Sequence, residues 1–242
     1  MNESVQIIPL ANLALILIPV IFVLIIYFKW SLGIWEANYS LARMLLQLTI
    51  IGYLLGIIFS STNGILLFSI CGVMLLASTW IALRTVKRLR VSLFAYTMLS
   101  ILIGSVSVLL LILTCVLNLD PWYEPRYLIP LAGMIFANAM NCVSLAIDRL
   151  VADYTDDADY DSVKNAAFQA AMIPVINSLF AVGLVTLPGM MTGQILSGVD
   201  PLIAARYQIM VMCMIFSSAG LTTASFLILV KKPIISAKKM KA

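Results

Sequence analysis

The sequence contains no histidine and little charge: only 11% of its 242 residues are Asp, Glu, Lys or Arg. A soluble domain carries about 25% charged residues, and a disordered chain combines high charge with low hydrophobicity, so neither class fits. Because histidine is the commonest general base and metal ligand, its absence argues against acid–base catalysis and the usual metal sites. The four cysteines form no Cys-x-x-Cys pair, which argues against zinc binding and a disulfide framework.

Apolar residues dominate what is present, at 62% of the chain with a mean hydropathy of +1.06. Seven runs lack charge, and each approaches or exceeds the roughly 20 residues that a bilayer-spanning helix needs. These runs are residues 5–28, 44–60, 64–83, 91–119, 127–147, 166–187 and 207–230. The sequence therefore predicts an all-α fold, a polytopic membrane helix bundle of about seven transmembrane helices in a single domain over residues 1–242.

The basic residues are distributed unevenly between the connecting segments. If the N-terminus lies outside, the inner segments are residues 29–43, 84–90, 148–165 and 231–242, and of the 15 basic residues only Arg126 and Arg206 lie outside. Cytoplasmic loops carry the excess of Lys and Arg in membrane proteins. We therefore expect the N-terminus outside and the C-terminus inside, with the basic tail on anionic lipid headgroups.

Neutral polar side chains mark one face of the fifth predicted span. Met134, Asn138 and Asn141 are spaced four and three residues apart, which places them on the same helix face, and Asp148 continues it towards the inner end. An amide within hydrocarbon needs a partner, so this face either lines a substrate path or forms hydrogen bonds between helices. Asn177 in the sixth span is a further candidate for such a path.

A second irregular segment follows the sixth span. Pro188 and Gly189 are expected to end that helix, and the next eleven residues are fairly apolar but too short to cross a bilayer. The pattern is typical of a re-entrant or interfacial segment, and a surface loop in the headgroups is the alternative. Met190, Met191 and Gln194 are the candidate substrate-path residues that this segment contributes.

Small residues predict where helices approach closely, and the inner loops predict where a partner binds. Two small-xxx-small steps, Gly52 with Gly56 and Gly133 with Ala137, predict close helix contacts. No phosphate-binding loop is present, so an ATPase that drives transport would be a separate chain. The candidate contacts for such a partner on the inner side are Arg84, Lys87, Arg88 and Asp148.

Two stretches of the sequence resemble a known family, the membrane subunits of the Fet-type bacterial iron exporter and the plant membrane subunits linked to aluminium tolerance. The first stretch is Ile129-Pro130-x-Ala132-Gly133-Met134 with Asn138-Ala139-Met140. The second and stronger stretch runs from Pro174 through Asn177-Ser178 and Leu187-Pro188-Gly189-Met190-Met191-Thr192-Gly193-Gln194-Ile195-Leu196 to Tyr207-Gln208-Ile209. The resemblance is close over residues 127–210 and looser over most of the chain.

The resemblance implies an ABC-transporter permease in the cell inner membrane that exports iron. It implies a homodimer that pairs with cytoplasmic ATP-binding subunits, so that ATP and Mg²⁺ bind to the partner and no cofactor binds to this chain. It implies neither an enzyme nor nucleic-acid binding. Family members usually carry a longer inner segment with a Leu-x-Leu-Gly-Ala element, whereas residues 148–165 here are short and acidic.

Alternative functions remain open at this point. The short inner segment favours a degenerate subunit that acts in assembly or regulation, and the family's plant members favour a permease for another small polar solute. An intramembrane enzyme ranks last, because histidine is absent and hydroxyls such as Ser178 have no obvious base.

The predicted orientation is testable by cysteine accessibility. In a background without the four native cysteines, we expect D120C to react with a membrane-impermeant maleimide in intact cells, because the basic-residue distribution predicts this loop outside. R88C should react only after the membrane is permeabilised. The reverse labelling pattern would contradict the N-outside orientation.

Overall fold

The computed structural model describes residues 8–60, 63–154 and 159–239. Within these ranges the regular secondary structure is helical, and no β-strand is present. A single 3-10 turn, Arg84–Val86, separates the third and fourth helices. The helices of the described ranges are α1 (Leu10–Lys29), α2 (Ile34–Ser60), α3 (Gly64–Ala82), α4 (Arg90–Val116), α5 (Pro125–Asp153), α6 (Tyr160–Ala181), α7 (Gly189–Leu196), α8 (Pro201–Leu229) and α9 (Lys231–Lys239).

Six of these helices, α1 to α5 and α8, are long and apolar enough to cross a membrane. Their surfaces carry many exposed large apolar side chains, a pattern that a monomeric soluble protein rarely tolerates. The all-α membrane fold is therefore confirmed. Helix α6 has 22 residues but is not among the six apolar helices of the described chain, and it contains the polar residues Lys164, Gln169 and Asn177. The seventh crossing, the orientation and the single domain stay predictions.

Five predicted helix ends were wrong by six residues or more, including the end of α5 at Asp153 and the start of α8 at Pro201. Helix α2 begins at Ile34 rather than at residue 44, so Arg43 lies within the helix and not in a loop. Helix α6 begins after Asp159, whose carboxylate accepts a hydrogen bond from the Ser162 amide at 3.1 Å as an N-cap. It ends at Ala181, six residues before the predicted end at residue 187, because Val182 adopts an extended conformation.

The Pro188-Gly189 pair begins a helix instead of ending one. Pro188 occupies the N-cap position of α7 with an extended backbone, and Gly189 is the first helical residue. With eight residues, α7 is about 12 Å long and cannot cross a bilayer. The predicted short segment after the sixth span is therefore present as a helix, and its depth in the membrane stays a prediction.

The helices fall into two compact units, Met1–Ser61 and Thr62–Ala242. In the first unit, α1 contains a turn at Leu15 and Ile16 and contacts α2. In the second unit, α8 packs against α4, α5, α6 and α7, and α5 also packs against α3 and α6. Its buried core contains Leu93, Ile147, Leu150 and Phe226, which are at most 1% exposed.

Helices α4 and α8 cross at very short range. Gly104 lies in a π-helical turn of α4, Leu102–Val106, and a Cβ atom there would lie only 2.6 Å from the Cα of Thr222. The neighbouring Ser105 and Thr222 hydroxyls form a hydrogen bond of 3.1 Å between the two helices. Only glycine permits this approach, because any side chain would collide with the backbone of α8.

The helices do not come closest at the small-xxx-small steps that the sequence predicts as contact points. At Gly52 and Gly56 an added Cβ would have no neighbour within 4 Å among the described residues, so the expected close contact at this GxxxG step is absent there. At Gly133 the nearest atom would be Met74 Cε at 3.5 Å, which is an ordinary van der Waals contact. GxxxG marks helices that are able to approach closely, but the partner surface decides whether they do.

Charged side chains connect the start of α6 with the start of α9. Asp161 forms ion pairs with Lys164 at 2.7 Å and with Lys231 at 3.6 Å. The hydrogen bond from Lys164, and then the positive charges of Lys164 and Lys231, hold the pKa of Asp161 below its ordinary value. Tyr160 packs in the core and donates a hydrogen bond to the Leu227 carbonyl of α8.

The close crossing predicts that Gly104→Ala destabilises the protein. The added methyl group must push α4 away from Thr222, and overpacking of this kind costs about 1–3 kcal/mol. We expect a lower midpoint of thermal unfolding in detergent. Gly72→Ala in α3 is the matched control, because a Cβ there has no neighbour within 4 Å. Equal midpoints for the two variants would contradict the crossing.

Candidate functional site

A cavity of about 410 Å³ lies within the second unit, between α5, α6, α8 and the segment that joins α6 to α7. Its lining combines apolar side chains with amides and hydroxyls, and it includes no Asp, Glu, Lys or Arg. Asn141, Pro174 and Ser178 are exposed members of this lining, so the cavity is open along this side of the unit.

Helix α5 contributes the polar face predicted from the sequence. Met134, Asn138 and Asn141 line the cavity, together with Cys142. The Asn138 side chain donates from Nδ2 to the Met134 carbonyl oxygen at 2.9 Å. A carbonyl only accepts hydrogen bonds, so this contact assigns the nitrogen of the amide and leaves its oxygen, Oδ1, for another partner.

Helix α6 contributes Pro174, Val175 and Ser178. Pro174 lies inside the helix and has no amide hydrogen, so one backbone hydrogen bond of α6 is missing at this level. Ser178 donates its hydroxyl hydrogen to the Pro174 carbonyl oxygen at 2.9 Å. The lone pairs of the Ser178 oxygen therefore remain as acceptors on the cavity wall.

The segment between α6 and α7 lines the cavity with Val182, Thr186 and Pro188, and the start of α7 adds Gly189 and Met190. Gly183 has a φ of +81°, a conformation that glycine adopts without strain, and its amide donates to the Thr186 carbonyl at 2.9 Å. At the tip of this turn Leu184 and Val185 are 89% and 81% exposed. Such an apolar tip is compatible with hydrocarbon or with a protein partner.

Helix α8 contributes Gln208 and, one turn later, Met212. Gln208 is 6% exposed, and within the described chain its Oε1 receives no hydrogen bond. A buried amide oxygen without a donor costs free energy, which native structures normally avoid by supplying a partner. This atom is the strongest indication in the cavity that a ligand or water is bound there.

The structure brings together four of the seven predicted substrate-path residues. Met134, Asn138, Asn141 and Met190 line the cavity. The remaining three do not line it: Asn177 is exposed on α6, whereas Met191 and Gln194 lie partly buried on α7. Gln194 Oε1 also lacks a hydrogen-bond donor among the described residues.

Sequence reasoning did not select Ser178, Gln208 and Met212 as site residues. The signal for Gln208 was available, because it is an isolated amide within a long apolar run and lies four residues before Met212 on the same helix face. Ser178 carried no comparable signal, since serine is common in helices and only the position of α6 places it opposite α5.

The candidate partner contacts lie outside the cavity. Arg84, Lys87 and Arg88 are exposed around the 3-10 turn, and Asp148 is exposed near the end of α5. Arg90 is engaged differently: its guanidinium donates to the Trp80 carbonyl and stacks 3.6 Å from the centre of the Trp80 ring.

The acidic segment after α5 forms no metal site among the described residues, where no group of three or more Cys, Asp or Glu side chains is placed to hold an ion. Asp153 pairs with Arg149 at 2.6 Å, and Asp159 caps α6. Asp156 and Asp157 lie outside the described residues. The described carboxylates of this segment thus have structural roles.

Comparison with known proteins assigns the family. The model of the uncharacterised protein family UPF0014 matches residues 10–160 and 154–235. The chain is 36% identical over 196 residues to a UPF0014 membrane protein of Synechocystis, covering 75% of this chain and 76% of the relative. No solved structure matches the chain.

Two further relatives carry functional names. The "Probable iron export permease protein FetB" of Escherichia coli is 33% identical over 229 residues, which cover 88% of this chain and 86% of FetB. The "Protein ALUMINUM SENSITIVE 3" of Arabidopsis thaliana is 32% identical over 240 residues, covering 86% of this chain and 80% of the plant protein. With its six apolar helices, this chain is a multi-pass membrane protein that belongs to the UPF0014 family.

Proposed function

We propose that this protein is the permease subunit of an ABC-type transporter in the cell inner membrane that exports metal ions such as iron. The observation that carries the proposal is the cavity between α5, α6 and α8, whose polar wall is built from Asn138, Ser178 and Gln208. The relative named as an iron export permease supports it, because the match extends over nearly the whole of both chains.

The exposed polar groups around this cavity support a homodimer. Asn141, Asn177 and Ser178 lie exposed on α5 and α6, within or next to segments that we expect at membrane depth. Amides facing lipid would be left without partners, which is costly in hydrocarbon. A second copy that covers this side would enclose the cavity and supply polar partners or hold water.

Transport needs an energy source that this chain does not provide. We propose that a cytoplasmic ATP-binding subunit binds ATP and Mg²⁺ and contacts the exposed residues Arg84, Lys87, Arg88 and Asp148. Helix α5, of 29 residues, is about 43 Å long and exceeds the hydrocarbon thickness of about 30 Å. A movement imposed at Asp148 would therefore reach Asn138 through one continuous helix.

A subunit without transport activity is the second candidate. The two matched stretches of the family model overlap at residues 154–160. These residues lie in the inner segment that, by the resemblance, is shorter here than in the Fet-type family. If this loop does not contact an ATPase, the protein would be a membrane subunit that acts in assembly or regulation and not in transport. A permease for another small polar solute would also work with an ATPase subunit, and it would differ only in the solute that binds in the cavity.

Transport into everted membrane vesicles separates these functions. Vesicles that contain this chain and its proposed ATPase partner should accumulate iron when ATP is added, and a non-hydrolysable ATP analogue should give no accumulation. Cells that lack the chain should contain more iron. Normal cellular iron after deletion, together with no ATP-dependent uptake, would overturn the proposed iron export.

The proposed docking surface predicts that Arg88→Glu weakens the complex with the ATPase. Reversing a charge at a complementary interface costs several kcal/mol, so we expect the affinity to fall at least about tenfold in detergent solution. Arg126→Glu is the matched control, because that side chain is expected on the outer side. An equal loss of co-purifying ATPase in both variants would contradict docking at residues 84–88.

A further inference from the structure

We propose that the cavity of the second unit binds a divalent cation through its water shell, so that the ion keeps its hydration while amide and hydroxyl oxygens of the wall accept hydrogen bonds from the water. This inference rests on the proposed function and states how that site recognises its cargo. It follows from the direction of the hydrogen bonds, the volume of the cavity and the absence of charge in its lining.

The hydrogen-bond directions leave acceptors on the wall. Asn138 has committed its nitrogen to the Met134 carbonyl, and Ser178 has committed its hydroxyl hydrogen to the Pro174 carbonyl. Gln208 Oε1 receives no hydrogen bond from any described residue. Gln208 Oε1 therefore lacks a donor among the described residues, and the oxygens of Asn138 and Ser178 are able to accept one. Water bound to a cation directs its hydrogens outward, so its shell supplies those donors.

The volume fits a hydrated ion better than a bare one. A water molecule takes about 30 Å³ in the liquid, so six waters around a cation need about 180 Å³. The cavity of about 410 Å³ accommodates such a complex with space for further water. A bare ion would leave most of the cavity to other occupants and would contact only a small part of the wall.

The chemistry of the lining also argues against direct coordination of a hard cation. Such ions are held by carboxylates and other oxygen ligands, and the residues that line this cavity include no Asp or Glu. Neutral acceptors stabilise a hydrated cation without binding it so tightly that it cannot leave, as transport requires. Met134, Met190 and Met212 would favour a soft monovalent cation instead, and the experiment separates the two.

Hexaamminecobalt(III) provides a direct test, because its ammonia ligands do not exchange and it imitates a hydrated cation. Purified wild-type protein in detergent is titrated with Mn²⁺, and free Mn²⁺ is followed by electron paramagnetic resonance. We expect binding of Mn²⁺ and its displacement by hexaamminecobalt(III). Mn²⁺ that binds but resists displacement would overturn recognition through the water shell, and so would a failure of Mn²⁺ to bind.

Substitutions assign the binding to this cavity. Gln208→Leu removes the acceptor and should weaken Mn²⁺ binding about tenfold, as expected for a lost hydrogen bond to a charged partner. Gln208→Glu adds a negative charge to a side chain of the same shape and should strengthen Mn²⁺ binding. Gln169→Leu is the matched control, because this exposed amide of α6 does not line the cavity, and it should change the affinity by less than about twofold. If Met212→Leu abolishes binding, or if Ag⁺ binds in place of Mn²⁺, a thioether site replaces the proposed one.

Failure of this inference can be distinguished from failure of the proposed function. Binding is measured on the purified chain without ATPase, whereas export is measured in vesicles with ATP. Mn²⁺ binding that hexaamminecobalt(III) displaces supports the site even if no transport occurs, and that result would overturn the permease function alone. ATP-driven iron transport by a protein whose Gln208→Leu and Gln208→Glu variants bind Mn²⁺ like the wild type would overturn the site alone.

Discussion

Helices α4 and α8 meet at Gly104 and Thr222, and the arrangement of the second unit depends on this contact. In hydrocarbon no hydrophobic driving force brings apolar helices together, so close packing and hydrogen bonds between helices must hold them. Gly104 allows the backbones to approach, and the hydrogen bond between Ser105 and Thr222 joins them at the same level. With α8 held against α4, its other contacts face α5 and α6, where the cavity lies.

The same constraint explains how hydroxyls are used elsewhere in the bundle. Three buried hydroxyls each donate a hydrogen bond to the backbone carbonyl four residues earlier: those of Thr79, Thr97 and Ser100. These bonds satisfy the hydroxyls without a partner helix. Asn138 and Ser178 do this at the cavity as well. The cavity differs in that Gln208 Oε1 receives no hydrogen bond from the described residues, because an amide has more hydrogen-bonding atoms than one helix can satisfy.

The cavity thus combines two properties that a permease needs. The wall of the cavity is neutral, so no fixed charge would hold a bound cation permanently. The oxygens of the wall still stabilise a ligand that donates hydrogen bonds to them. Pro188 and Met190, at the start of the short helix α7, also line the cavity. Helix α5 extends from this cavity to Asp148, so in the proposed transporter it is the continuous element through which the ATPase subunit would act.

The sequence by itself determined the membrane class, six of the helices and the shared face of Met134, Asn138 and Asn141, because these follow from charge-free length and helical periodicity. It predicted the short segment after α6 but placed its boundary wrongly, since the effect of Pro188 and Gly189 depends on where the preceding helix has already ended. Only the tertiary structure decided which glycine is a crossing point and which amides meet. Gly104 is not part of a GxxxG motif. Its role depends on Thr222, more than a hundred residues later, whose backbone lies directly against it. Gln208 and Asn138 likewise share a cavity because α8 and α5 pack together, a contact between distant segments that no local spacing encodes.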